Sequence, residues 1–413
     1  MAGDTAVTVP WSALRDRQIA RLFYAALISQ VGTQIDRVAL LVMVYSLTHD
    51  PFQLSLILVT QLAATLCLGP LLSAWADGQD YRRLLVISDF LRAPLVLLIP
   101  LLGARAFWAL LVIIALCEGL RALHDPVTYA IIPSLVPAGS YDSANSLMLF
   151  TQRFAEVAVV GAAGALVAAV GPAPAFWVDG ASFVLSGLIL LGLPALKPAS
   201  ARRDDYWQRV RAGLAHLWKQ PVIRRTIGTL FAAALFGSVE AVLGVVLAVS
   251  VLKVGAAGFG VLEGVLALGA VLGTFLAPML AARMPRERLF LGSLLIFGLV
   301  EASLGLIPVF GWAVGAYLVS GVLNMLFLIP ARTLLQVHTP ANMRARVFAA
   351  FGAVMQCAVA FGAVLGGALA TPLGAPAVFI SAGAAVAAIC VAVALRTRGL
   401  AMAPAAPDEI LAA

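Results

Sequence analysis

From Leu22 onward the chain is a series of long apolar runs separated by short polar breaks, and the runs are continuous rather than alternating. A membrane β-strand would alternate over about ten residues, whereas a membrane-spanning helix needs roughly 20 predominantly apolar residues. The pattern therefore predicts helices, at about 22–47, 52–76, 84–103, 106–131, 142–170 and 174–194. A polar stretch runs from Lys197 to Arg225, and six more spans follow at about 226–250, 256–282, 289–309, 311–337, 345–371 and 374–395. The segment Met1 to Asp16 is polar and lacks the basic-then-apolar order of a signal peptide. The end, Arg396 to Ala413, reads as a Pro/Ala-rich tail without a fixed fold. The expected organisation is a six-helix half over 1–194, a linker over 195–225, a second six-helix half over 226–396 and a tail over 397–413.

Composition narrows the classes. Apolar residues make up 62% of the 413, enough for about twelve spans of roughly 20 residues. Charged residues are 11%, less than half the roughly 25% of an average soluble domain. Mean hydropathy is +1.00. These values exclude a water-soluble enzyme, a disordered chain and a secreted disulfide scaffold. Cys67, Cys117, Cys357 and Cys390 all lie in apolar runs without paired spacing or a nearby His, so no metal site or disulfide is expected.

The net charge of +7 sets orientation rather than a nucleic-acid surface. With the N-terminus in the cytoplasm, 20 of the 27 basic residues fall on the inner side and only Arg105 and Lys253 on the outer. The remaining five, Arg37, Arg92, Arg121, Arg153 and Arg332, lie within spans. The positive-inside rule then places both termini in the cytoplasm.

The halves repeat. At a shift of 204 residues Asp36 meets Glu240, Gly69 meets Gly273, Arg82 meets Arg286 and Pro126 meets Pro330. At 203, Pro137, Gly164, Gly171, Phe176 and Gly180 meet Pro340, Gly367, Gly374, Phe379 and Gly383. Six spans duplicated in parallel is a plan of secondary transporters, whose substrate site lies between the halves near the bilayer midplane.

Several segments carry a family resemblance. The loop after the second span reads Ser73-Ala-Trp-Ala-Asp77-Gly-Gln-Asp80-Tyr-Arg82-Arg83. It resembles the loop 2–3 motif of the major facilitator superfamily, G-x-L-A-D-R-x-G-R-R, in Asp77, Arg82 and Arg83. It departs from it at Ser73, Gly78 and Asp80. The Asp at position 80 resembles the subgroup of enterobactin-exporter-like and macrolide-efflux-like proteins. So do Ser88-Asp89-Phe-Leu-Arg92-Ala93, Gly119-Leu-Arg121-Ala-Leu-His-Asp125-Pro126, the middle segment from Gly213 to Arg224, and Arg344-Ala-Arg346-Val-Phe348. The fifth span's Gly161 and Gly164 partly match a glycine run of drug/proton antiporters whose Pro is missing here. The resemblance implies an all-α membrane protein of twelve helices in two pseudo-symmetric six-helix halves. It also implies a cytoplasmic gate in which Asp77, Arg82 and Arg83, with Asp89 and Arg92, latch against the eleventh span near Arg346. A carboxylate there can sit on a helix N-terminus or an Arg; the alternative is a turn with solvated charges.

Ionisable residues inside spans cost at least about 2.5–3.5 kcal/mol on insertion scales, so each needs a reason. Asp36 lies about 14 residues into the first span, roughly 21 Å along the helix. Gln30 and Gln34 precede it and Arg37 follows. It reads as a proton-binding carboxylate or a contact for a cationic substrate, or else as half of a structural ion pair. Arg37, adjacent on the helix, points elsewhere. Glu240, its repeat mate, has no Arg within four residues. Glu263 and Glu301 are alone in their spans, as coupling groups or partners of an Arg on another helix. Glu118, Arg121 and Asp125 share one helix face, and Arg153 with Glu156, like Asp89 with Arg92, are three apart. Such spacing lets charges neutralise one another, as a lock or a proton relay. Asn324 and Arg332 stand on the tenth span; His124 and His338 read as solvated or capping groups near helix ends.

Trp207, Val210, Leu214, Leu217 and Trp218 recur at spacings of three and four, predicting an amphipathic linker helix on the inner leaflet. No G-x-x-x-x-G-K-[ST] loop or nucleophile elbow occurs, so no ATPase or other enzyme, and no cofactor, is expected. The reading is a monomeric secondary transporter in the lipid bilayer that exports a lipophilic or amphipathic small molecule, a drug, antibiotic or siderophore-like compound. Proton antiport would drive it, and nucleic acid is not a partner. Alternatives are a lipid or lysolipid flippase and a non-transporting membrane sensor on the same scaffold.

Overall fold

A computed structural model describes residues 14–76, 79–102, 106–136, 141–195, 221–339 and 343–397. The described residues are helical throughout, with no strand. In the first half the spans are α1 (Arg17–Thr48), α2 (Pro51–Ala76), α3 (Tyr81–Leu102) and α4 (Phe107–Ala130). α5 comprises Tyr141–Phe154 and Val160–Val170 joined by a π-helical turn, Ala155–Val159, and α6 is Ala173–Leu190. In the second half α7 comprises Pro221–Gly237 and Val239–Val246, interrupted at Ser238 and closed by a π-helical turn, Leu247–Val251. Then come α8 (Gly255–Ala281), α9 (Arg286–Leu306), α10 (Phe310–Val337), α11 (Arg344–Leu373) and α12 (Ala375–Thr397).

All twelve expected spans are helical. Among the described residues, eleven helices are long and apolar enough to cross a membrane. In the fifth, the described apolar stretch is the shorter 157–170. α7 is already helical at Pro221, where this described stretch starts, ahead of the expected 226. The expected linker helix lies outside the described residues, as does the tail beyond Thr397.

Helix ends follow local chemistry. Asp16 caps α1, its carboxylate accepting from Gln18 N at 2.8 Å and Ile19 N at 3.1 Å. Asp80 does the same for α3, accepting from Arg82 N at 2.9 Å. The repeat is visible in the backbone. Gly171 ends α5 at φ 81° and Gly374, its mate at a shift of 203, ends α11 at φ 80°. His49 and Lys253, mates at a shift of 204, both stand at positive φ, 52° and 56°, after α1 and α7. At Gly374, with ψ 151°, the conformation is one that only glycine adopts readily. Gly374→Ala is expected to cost about 1–3 kcal/mol through backbone strain, because the nearest atom a Cβ would meet is 3.8 Å away. Thermal unfolding in detergent reads this as a lowered midpoint.

The core divides by end. Call the end holding Arg17 and Thr397 the terminal end, and the other, where α1 turns into α2, the far end. At the far end one apolar cluster joins both halves, running from Val38, Tyr45 and Leu54 through Val160 and Phe176 to Val242, Phe259, Tyr317 and Phe379. At the terminal end there are two separate clusters. One holds Ile19, Leu85, Ile131 and Leu147, and the other Ile223, Phe290, Phe327 and Val347. The halves are thus packed together at the far end and have separate cores at the terminal end. Outside, large apolar side chains such as Leu101, Trp108, Phe275 and Phe361 are exposed, as expected for a surface solvated by lipid rather than water. Trp108, Trp177 and Trp312 are exposed within the first two turns of α4, α6 and α10, forming an aromatic girdle at the far end.

Candidate functional site

The two halves meet through close helix contacts. Gly164 of α5 packs on Gly260 of α8, where a Cβ on Gly164 would fall 2.5 Å from the Gly260 Cα. Gly367 of α11, the repeat mate of Gly164, packs on Pro51 and Ser55 of α2. Small residues let backbones approach this closely. Polar contacts accompany them: Tyr45 Oη and Ser250 Oγ are 2.5 Å apart, and Thr371 Oγ1 donates to Asp50 Oδ1 at 3.4 Å.

Behind this closure, in the first half, α1, α3, α4 and α6 bring together a polar array. Asp36 lines a cavity of about 430 Å³ with Thr33, Gln61, Arg92, Glu118, Arg121 and Asp179. A second cavity of about 480 Å³ shares Thr33, Arg92 and Arg121 and adds Ser29, Gln30, His124 and Asp125. Arg121 Nε donates to Glu118 Oε2 at 2.6 Å, a charge-assisted bond. Arg92 is buried, with its guanidinium 3.9 Å over the Phe183 ring. It meets Asp89 at 4.0 Å. The Asp36 Oδ1 is buried without a hydrogen-bond partner among the described residues. Gln34 Oε1 is in the same condition.

The second half holds a different arrangement. Glu240, Glu301 and Tyr317 are buried, and both Glu301 oxygens, Glu240 Oε1 and Tyr317 Oη lack partners among the described residues. Glu240 follows the interruption of α7 at Ser238. Gly237 and Gly244 make room: a Cβ at Gly237 would be 3.9 Å from Glu301 Oε2, and one at Gly244 2.9 Å from Tyr317 Oη. Glu263 of α8 pairs across the halves with Arg37 of α1 at 3.5 Å. Arg37 is thus the partner of Glu263, not of Asp36, as the one-residue offset on the helix requires.

The sequence-derived candidates separate clearly. Asp36, Gln30, Asp89, Arg92, Glu118, Arg121 and Asp125 fall in one array, while Gln34 is buried on α1 and lines neither cavity. Glu240, Glu263 and Glu301 fall in the other. Asn324 is half-buried on α10, about two turns beyond Tyr317. Arg332 is exposed and forms no ion pair among the described residues. Arg82 and Arg83 open α3 at the terminal end. Asp77 and the side chains of Arg153, Glu156 and Arg346 lie outside the described residues.

His124 departs from its expected place as a solvated end group. It is buried, with Nε2 3.5 Å from Asp89 and Nδ1 3.8 Å from Asp125, because α4 continues to Ala130 and packs there on α3. His338 does cap, its Nδ1 lying 2.9 Å from Leu334 O. Two residues escaped the sequence reading, Asp179 and Tyr317. Asp179 carried the same signal as Glu301, a lone acid in an apolar run. Tyr317 carried none, since a tyrosine in a span is ordinary.

The architecture is that of a major facilitator transporter. A family model described as transmembrane secretion effector matches residues 8–407, and the chain belongs to that family. It is therefore a multi-pass membrane transporter rather than an enzyme. It is 27% identical over 358 residues to the enterobactin exporter EntS of Citrobacter koseri, covering 84% of each chain. Its fold is similar to that of the nucleoside transporter NupG, with a TM-score of 0.77 at 13% identity over 92% of this chain and 99% of that one. It is also similar to a bacterial homologue of the lysosomal transporter Spinster, at 0.71 and 15% over 91% and 94%.

Proposed function

We propose that the chain exports a lipophilic or amphipathic small molecule across the bacterial inner membrane by proton antiport, the two halves rocking to expose the site alternately to each side. The observation that carries this reading is the divided core, continuous across the halves at the far end and split at the terminal end. A joint that packs at one end and parts at the other is what alternating access around a central site requires. The similarity to an enterobactin exporter supports a small-molecule cargo and the outward direction. Arg82, Arg83, Arg283, Arg286 and Arg288 gather at the terminal end. This supports cytoplasmic termini, and hence a site open to the cytoplasm in this conformation.

Proton coupling is supported by the charges. A buried carboxylate without a partner is expensive and is kept where it does work. Asp36 and Glu240, mates in the repeat, are such groups in both halves. Arg37, next to Asp36, holds Glu263 across the joint. Separation of the halves at the far end would break that pair and move the helix that carries Asp36.

The loop after α2 supplies the other gate. Asp77→Asn is expected to abolish transport with insertion and abundance intact, since the latch it would form exists only when the cytoplasmic side closes. Efflux from cells beside an immunoblot of membranes checks this, and unchanged efflux would sink the latch. The export reading as a whole is tested in proteoliposomes across a panel of compounds under an imposed pH gradient.

A further inference from the structure

Asp179 lies near the start of α6, 1% exposed, with no basic residue within four positions along the chain. Its Oδ1 accepts from Ser182 Oγ at 3.3 Å. The same oxygen lies against Gly32 of α1, one turn before Asp36, and a Cβ there would come 2.5 Å from it. Glycine at 32 thus lets the two acidic helix faces meet. Asp36 and Asp179 line one cavity.

The other charged and titratable groups around the pair are Asp89 and Arg92 of α3 and Cys117, Glu118 and Arg121 of α4, with His124 and Asp125 a turn or two further along α4. Their positive charges are largely engaged. Arg121 is taken by Glu118 at 2.6 Å. Arg92, 6% exposed, lies over Phe183 and meets Asp89 at 4.0 Å, while its Nε has no hydrogen-bond partner. Two carboxyl groups on facing helices, with one loosely held guanidinium beside them, cannot both stay charged without another positive charge. Thr33 and Gln61 add uncharged polar groups, and the rest of the wall is apolar, with Leu40, Val96, Ile99, Ile114 and Phe183.

We propose that Asp36 and Asp179 form a carboxyl pair that holds one shared proton, and that the cationic group of a lipophilic substrate takes that proton's place. This rests on the reading of the chain as a proton-coupled exporter and names its exchange centre. The exchange balances. The pair with one proton carries one negative charge. When the cation binds, the proton leaves to water, and two carboxylates with one cation again carry one negative charge. Ser182 and Gly32 position Asp179, while the apolar wall takes the hydrocarbon of the substrate.

Infrared spectroscopy of the purified full chain in detergent tests the shared proton without any ligand. Beside any band from the buried Glu240 and Glu301, a protonated carboxyl band of the pair is expected near neutral pH. Asp179→Asn and Asp36→Asn should each remove it, and the double variant should remove no more than either alone. Asp179→Glu should keep a shifted band, which separates loss of the acid from loss of the fold. A band untouched by Asp179→Asn, or losses that add, would overturn the pair.

The cation is tested with tetraphenylphosphonium added to weakly buffered protein. Wild type should release about one proton per cation bound. Asp179→Asn should bind about tenfold more weakly and release none. Binding without release, release unchanged in Asp179→Asn, or no binding by wild type would each overturn the exchange. Gradient-driven transport in proteoliposomes reads the exporter function separately. Transport without the Asp179-dependent band refutes the pair alone, and the band without transport refutes the coupling alone.

Discussion

Asp36→Asn is expected to end proton-coupled transport while leaving the protein inserted and as abundant as wild type. Asparagine has the shape of aspartate and keeps a carbonyl oxygen for the cavity, but it cannot bind and release a proton near neutral pH. Asp36 is half-buried, faces the cavity among Arg92, Glu118, Arg121 and Asp179, and makes no hydrogen bond through Oδ1 that the amide would forfeit. The fold therefore loses little. The expected loss of rate is about 100-fold or more, the range in which removing a proton-transfer group slows a reaction. Initial rates in inverted membrane vesicles energised by a pH gradient give the comparison, with an immunoblot for abundance. A rate equal to that of wild type would remove Asp36 from the coupling.

A second large effect is expected where the halves touch. Gly164→Leu puts a branched side chain where even a Cβ would come 2.5 Å from the Gly260 Cα and 2.8 Å from Ala256 O. These are backbone atoms, which cannot swing aside, so α5 and α8 must separate. Overpacking of this kind costs about 1–3 kcal/mol. A shift of 1.4 kcal/mol changes a population about tenfold. The strain exists only while the far end is closed, so the substitution should favour the opposite state.

Ser55, buried at the far end under Gly367, reports that state. With the four native cysteines replaced, Ser55→Cys should resist a membrane-impermeant maleimide added from outside. Adding Gly164→Leu should raise labelling about tenfold, with transport reduced. Equal labelling in both backgrounds would mean that the α5–α8 contact does not hold the far end shut.

Much of this was legible in the chain, and the reasons differ by feature. The spans were visible because a lipid-facing helix must be apolar along its whole length, which leaves few alternative boundaries. The repeat was visible because glycines that permit close packing or positive φ tolerate few replacements. Gly164 and Gly367 both face the other half, and Gly171 and Gly374 both end helices at positive φ. Asp36 and Glu240 stood out because charge in a span is rare.

Other parts depend on contacts that sequence spacing does not encode. Arg37 and Glu263 belong to different halves, and only the packing of α1 near α8 brings them to 3.5 Å. His124 was read from its distance to a helix end, although burial is decided by what packs on it, here α3 and Asp89. Tyr317 became notable only once its hydroxyl was found buried beside Glu240 and Glu263. The fifth span illustrates the reverse. Its first part carries polar residues, yet it is helical and runs on through the π-helical turn at Ala155–Val159.

The central claim is that export is driven by protons moving the other way through this array. Proteoliposomes loaded with a pH indicator, given a pH gradient and then a panel of lipophilic compounds, test it directly. The account predicts compound-dependent proton movement with wild type, lost with Asp36→Asn and with Glu240→Gln. Transport of a compound with no accompanying proton movement, equal in wild type and both variants, would contradict it.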